Sequence, residues 1–140
     1  MYKVSKTVSF AYSHRLLDYK GKCKNLHGHN GRVELMLETK TLNGSAMAAD
    51  FTEFGGTLMR WVDSNLDHKT ILCARDPLLN KLKEAGQSCF ETAGNPTAEA
   101  LAELIFTEMK KLRLPVSEVK FWETDNSMAS YGEEINYERK

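Results

Sequence analysis

The chain has 140 residues, 41% hydrophobic and 27% charged, the length and balance of one globular domain, so a single domain over 1–140 is expected. Its 19 basic and 19 acidic side chains cancel and form no Lys or Arg block, which argues against nucleic acid as the main partner. No stretch approaches the roughly 18 consecutive apolar residues of a membrane span, and Met1-Tyr2-Lys3-Val4-Ser5-Lys6 lacks the apolar centre of a secretion signal. The three cysteines, Cys23, Cys73 and Cys89, cannot all pair within the chain, so a reducing, cytoplasmic setting is expected.

Tyr2, Val4, Val8, Phe10 and Tyr12 share one parity against Lys3, Ser5, Thr7 and Ser9, which predicts a half-buried strand ending with His14 on its apolar side. A polar loop, Asp18 to Asn25, follows. A second strand carries Val33, Leu35 and Leu37 inward, and the same parity traced backward places His29 and His27 on the apolar side. Asp50 and Glu53 have capping-box spacing and open a helix striped by Phe51, Phe54, Leu58, Trp61 and Val62. Asp76-Pro77 and Gly86 bound a short helix, and Cys89-Phe90-Glu91 reads as a short extended piece. Asn95-Pro96-Thr97 opens a helix with Leu101, Ala102, Ile105, Met109 and Leu112 on one side, stopped by Leu114-Pro115. Val119, Phe121 and Glu123 alternate in a third strand, and Met128 to Tyr131 supply a fourth. This order predicts an α+β domain, an antiparallel four-stranded sheet with helices on one face and the other needing polar cover or another subunit.

The chemistry concentrates in Cys23-x-x-x-His27-Gly28-His29 with His14 upstream. Histidines at i and i+2 of a strand project from one face with Cα atoms about 6–7 Å apart, close enough to share an ion. His14 is placed to add a third nitrogen, and zinc suits three imidazoles without a redox partner. Cys23 reads either as a fourth ligand closing a structural site or as a thiol activated beside an open one; three histidine ligands tilt this toward catalysis. Asp67-His68 reads equally as a proton relay or as a helix-terminal histidine on the dipole. Glu123 continues an apolar parity, where a carboxylate is costly unless paired, and the paired N–H donors of an aminopyrimidinone would satisfy it. The alternative there is a strand that ends at Trp122 with Glu123 in solvent.

These residues resemble a known family. Cys23 to His29, Leu66-Asp67-His68-Lys69, Asn95-Pro96-Thr97-Ala98-Glu99 and Trp122-Glu123-Thr124-Asp125-Asn126 are similar, in order, to the 6-pyruvoyl-tetrahydropterin synthase and 6-carboxytetrahydropterin synthase superfamily. The resemblance implies the tunnelling fold, in which subunits join sheets into an oligomeric barrel, commonly a hexamer. It implies zinc on His14, His27 and His29, and proton transfer by Cys23, Asp67 and His68, the thiol and the Asp-His pair coming from different subunits. It implies that Glu123 anchors a pterin substrate and that Thr97 lines the same pocket. Two positions depart from the pattern, Tyr12 where Ala is frequent and Gly31 where an aromatic is common, and both bear on pocket shape. The three-residue gap between Cys23 and His27 resembles the carboxy branch, whereas Glu123-Thr124-Asp125-Asn126 looks closer to the pyruvoyl branch.

The gap sets where the thiol meets the substrate, so the expected activity is a 6-carboxy-5,6,7,8-tetrahydropterin synthase, a lyase of 7,8-dihydroneopterin triphosphate serving queuosine synthesis. The alternatives are a 6-pyruvoyl-tetrahydropterin synthase, a pterin aldolase, and a non-enzymatic zinc-stabilised binding module. Arg15, Lys22 and Lys24 are candidates for the triphosphate by proximity alone.

Overall fold

The computed structural model describes residues 1–133. Strands β1 (Tyr2–His14) and β2 (His27–Thr39) form a long antiparallel pair, in register from Tyr2 opposite Thr39 to His14 opposite His27. A 3-10 turn, Lys22–Lys24, interrupts their connection. Then come α1 (Phe51–Asn65), β3 (Lys69–Cys73), α2 (Leu78–Glu84), β4 (Cys89–Thr92), α3 (Ala98–Lys111), β5 (Val116–Thr124) and β6 (Ser127–Gly132). No helix among the described residues is long and apolar enough to cross a membrane.

The domain is α+β, but the expected four-stranded antiparallel sheet is six-stranded and mixed, in the order β4-β3-β1-β2-β5-β6. β3 runs parallel to β1, and β4 parallel to β3, while the remaining pairs are antiparallel. Strand β3 escapes a reading by alternation because Ile71, Leu72 and Cys73 are all buried; a strand covered on both faces shows an apolar run with no period of two.

Inward residues of the sheet (Val8, Phe10, Val33, Leu35, Val119, Phe121) meet Phe54, Leu58 and Val62 of α1 and Leu101, Ile105 and Met109 of α3 in one core, none more than 5% exposed. Each such side chain contributes on the order of 1.5–3 kcal/mol by leaving water. The outer face carries exposed Lys3, Thr7 and Ser9, and the Arg32 guanidinium lies 4.2 Å from the centre of the Trp122 ring. Asp50 caps α1 by accepting from the N–H groups of Thr52 at 2.8 Å and Glu53 at 3.3 Å. Phe51, expected in the buried stripe, is exposed instead; at the first helical position it lies at the margin of the core, its ring centre 5.8 Å from that of Phe54 in a tilted arrangement.

Asp76 is a second anchor, only 3% exposed. Both its oxygens receive the Arg15 guanidinium, Nε at 2.8 Å, and Oδ1 also accepts from the Leu78 N–H at the start of α2. The Arg15 guanidinium holds the Asp76 carboxyl below its ordinary range, outweighing burial, which acts the other way. A depressed folded pKa means this stabilisation is present above the ordinary carboxylate range and lost as pH falls through the depressed value. Asp76→Asn should therefore lower stability by about 1–3 kcal/mol near neutral pH, and in thermal melts its difference from wild type should shrink as the solution is made acid.

Candidate metal centre and active site

The β1–β2 register sets His14 opposite His27 and Tyr12 opposite His29. Odd-and-even alternation then turns all three imidazoles to the core face at one end of the sheet. Their ring centres lie 4.7–5.0 Å apart, and one nitrogen from each falls within 4.8 Å of the other two. His14 Nδ1 donates to the Pro96 carbonyl at 2.7 Å and His27 Nδ1 to the Asn25 carbonyl at 2.6 Å. A carbonyl oxygen only accepts, so each ring must carry its proton on Nδ1 and a lone pair on Nε2. Those two Nε2 atoms face each other at 3.1 Å. Among the described residues, His29 Nε2 is buried with no hydrogen-bond partner. Lone pairs converging at the end of the sheet, with His14 buried and His27 and His29 partly exposed, are a fit for a metal cation, and carbonyl-oriented imidazoles are the usual supporting arrangement.

Electrostatics point the same way. Burial first, and the neighbouring His27 and His29, push the His14 pKa down to about 4 against the opposing Pro96 bond. Burial likewise lowers the pKa of His29, with Glu123 opposing. Neutral rings are what a metal needs as ligands.

Beside His14 opens a cavity of about 230 Å³ whose walls include Leu16, Cys23, Thr97, Glu123 and Met128. Cys23 enters it from the 3-10 turn. Glu123 enters from the end of β5, partly exposed, with Oε1 3.9 Å from His14 Nε2. It does not turn outward at the strand end. Thr97 caps α3, its hydroxyl accepting from the Ala100 N–H at 3.2 Å, and so stands on the cavity wall by virtue of the helix start.

Asp67 and His68 are brought together but not into this cavity. His68 takes a positive φ of 57°, its N–H donates to the Ala11 carbonyl at 2.7 Å, and its Nδ1 lies 2.9 Å from Asp67 Oδ2. Asp67 Oδ1 accepts from the Ala11 N–H at 3.1 Å. The His68 bond, and then Ala11, hold the Asp67 carboxyl below its ordinary range against the cost of burial. The His68 side chain is 82% exposed, presented to the outside of this chain.

Two parts of the site went unread in the sequence. Asn95-Pro96 reads in sequence as a helix opener and as part of the family resemblance, with no sign that the Pro96 carbonyl orients the His14 ring. Tyr12 and Gly31, two unrelated oddities in sequence, prove to be one feature. A Cβ on Gly31 would lie 2.9 Å from Tyr12 Cε1, so the Tyr12 ring occupies the space that a side chain at position 31 would take. The ring is 4% exposed, packs on Phe10, His29 and Phe121, and its hydroxyl is buried without a partner among the described residues. Burial, reinforced by Glu123, raises its pKa and keeps the phenol neutral.

Fold and site together define an α+β protein with a candidate metal centre set against a cavity lined by a thiol and a carboxylate. The family model of 6-pyruvoyl tetrahydropterin synthase matches residues 3–134, and the chain belongs to that family of pterin-processing enzymes. It is 32% identical over 133 residues to the 6-carboxy-5,6,7,8-tetrahydropterin synthase of Rickettsia typhi, covering 90% of this chain and 96% of that one. It is 29% identical to the enzyme of the same name from Haemophilus influenzae, covering 95% and 100%. An uncharacterized Wolinella succinogenes protein superposes with a TM-score of 0.80 at 26% identity, covering 95% and 98%. The 6-pyruvoyl tetrahydropterin synthase of Caenorhabditis elegans shares the fold, with a TM-score of 0.71 at 23% identity over 95% and 96% of the two chains.

The Tyr12–Gly31 packing predicts two substitutions of opposite sign. Gly31→Ala should destabilise by about 1–3 kcal/mol, because the ring must move to admit a methyl group. Tyr12→Phe removes a hydroxyl with nothing to bond and should leave stability unchanged or raise it by up to about 1 kcal/mol. Urea midpoints of the two variants check both.

Proposed function

We propose that this protein is a zinc-dependent 6-carboxy-5,6,7,8-tetrahydropterin synthase that acts in the cytoplasm on 7,8-dihydroneopterin triphosphate, releasing acetaldehyde and triphosphate for 7-deazapurine (queuosine) synthesis. The observation that carries the reading is the convergence of His14, His27 and His29 nitrogens beside a cavity shared by Cys23 and Glu123. The names borne by the relatives that align over nearly their whole length support the carboxy branch.

A zinc ion on the three histidines would supply Lewis-acid polarisation of the substrate's side-chain oxygens. The residues of the chain do the rest. Glu123 accepts the paired N–H donors of the pterin ring and so fixes which end of the substrate lies toward the histidines. Thr97 bounds the pocket from the cap of α3. Cys23, as thiolate, takes a proton from the side chain, and His68, oriented by its bond to Asp67, returns or removes another. His68 faces outward from its own chain, which supports an arrangement where it serves the cavity of a neighbouring copy. We therefore propose a homo-oligomer, most simply a hexamer. The rival, a binding module with Cys23 closing a structural site, is disfavoured because Cys23 is absent from the cluster of prospective ligand atoms.

Incubation of pure protein with 7,8-dihydroneopterin triphosphate, with products resolved by mass spectrometry, tests the activity directly. Acetaldehyde with 6-carboxytetrahydropterin is expected; a pyruvoyl product would move the protein to the other branch, and no turnover would remove the assignment.

The metal and the thiol separate by mutation. His27→Ala or His29→Ala should abolish both zinc content and turnover. Cys23→Ala should leave zinc near one ion per chain and collapse turnover, both read by metal analysis beside the product assay. Glu123→Gln replaces an acceptor by a donor facing the ring's own donors. Pterin affinity should drop at least tenfold, roughly 2–4 kcal/mol, with zinc unchanged, as measured by calorimetric titration.

A further inference from the structure

The chain leaves β1 at His14 and crosses an open loop before it presents Cys23. Four consecutive residues at the start of that crossing each have a separate tether. His14 donates to the Pro96 carbonyl. Arg15 forks onto Asp76. Leu16 donates its N–H to the Cys23 carbonyl at 2.8 Å. Leu17 donates its N–H to Asn95 Oδ1 at 2.8 Å and accepts from Asn95 Nδ2 at 3.0 Å. The last is a two-way pairing in which a side-chain amide binds the backbone as a neighbouring strand would.

We propose that Asn95 is a positioning residue for the Cys23 thiol. The turn that carries the thiol is one 3-10 turn with no fully buried residue and Cys23 only half-buried, so packing alone holds it weakly. Its own bonds, Lys24 N–H to Gly21 and Asn25 N–H to Lys22, are internal and fix its shape, while the His27 imidazole holds its exit at the Asn25 carbonyl and leaves the entry side to other contacts. Among the described residues, the main-chain bond that ties Cys23 to the preceding strand is the one from Leu16. Leu16 is in turn flanked by the Arg15 ion pair on one side and the Asn95 clamp on the other. Asn95 is not part of the cavity wall, so it acts through this strap.

The residue type follows from the geometry. Asp accepts from the Leu17 N–H but meets the Leu17 carbonyl with a second acceptor, and Ala makes neither bond. Since Pro96 follows immediately, one short segment registers both a metal ligand and the thiol against the start of α3.

The kinetic readout of the test rests on the pterin-synthase reading; the chemical readout does not. Zinc-loaded wild type, Asn95→Asp and Asn95→Ala are treated with iodoacetamide at neutral pH, and each cysteine is followed by peptide mass spectrometry. Release of the strap should speed alkylation of Cys23 severalfold, while Cys73 and Cys89 keep their wild-type rates. With 7,8-dihydroneopterin triphosphate, kcat should fall roughly tenfold to a hundredfold at nearly constant KM and zinc content. Wild-type labelling of Cys23 in both variants overturns the proposal. So does a loss of kcat that comes with loss of zinc and no change in Cys23 labelling, because Asn95 would then be merely structural. Asn95→Asp keeps one of the two bonds and carries the test if Asn95→Ala does not fold. A wild type without turnover would sink the pterin reading, and the labelling would still decide on Asn95.

Discussion

Two imidazole nitrogens 3.1 Å apart, each with its proton committed elsewhere, leave lone pair facing lone pair, an arrangement that a bound cation would relieve. The rest of the site follows from it. The protons are committed because Pro96 and Asn25 offer carbonyls on the far sides of the rings, and the His14 ring stays uncharged because it is nearly sealed from water. Desolvation that would penalise an imidazolium becomes an asset when the charge arrives as a metal ion.

The β1–β2 pair is what sets this geometry. It is the longest ladder in the sheet, and its inward residues are locked into the core by α1 and α3. A one-residue slip would turn His27 and His29 to the outer face and strip Val33, Leu35 and Leu37 from the core, so burial enforces the register that aligns the three histidines. Around this rigid end stand pieces of different stiffness. Glu123 comes from a paired strand and Thr97 from a helix cap, whereas Cys23 arrives on a short 3-10 turn with no fully buried residue.

Tyr12 and Gly31 illustrate how two residues on different strands become one structural decision. The ring that rises from β1 leans over the empty position on β2 and reaches Phe121 on β5, walling the core side of the histidines with aromatic carbon. That apolar backing is part of why the His14 and His29 rings stay neutral.

Much of this was written in the chain itself. Alternation over Tyr2–His14 and Val33–Leu37 marked both long strands and put three histidines on their apolar side, since side-chain direction in a strand depends only on parity. Helical stripes with Asp50, Thr97 and Gly86 at their ends marked the helices, since caps answer to local backbone chemistry. Tertiary structure decided what local pattern does not encode. It placed β3 and β4 parallel beside β1, where burial on both faces erases periodicity. It joined Leu17 to Asn95 and Arg15 to Asp76 across long stretches of chain, and filled the space over Gly31 with Tyr12. It also turned His68 outward, away from the cavity of its own chain. Such pairings depend on which surfaces meet after the chain has folded, and neither partner's neighbours in sequence carry a trace of the other.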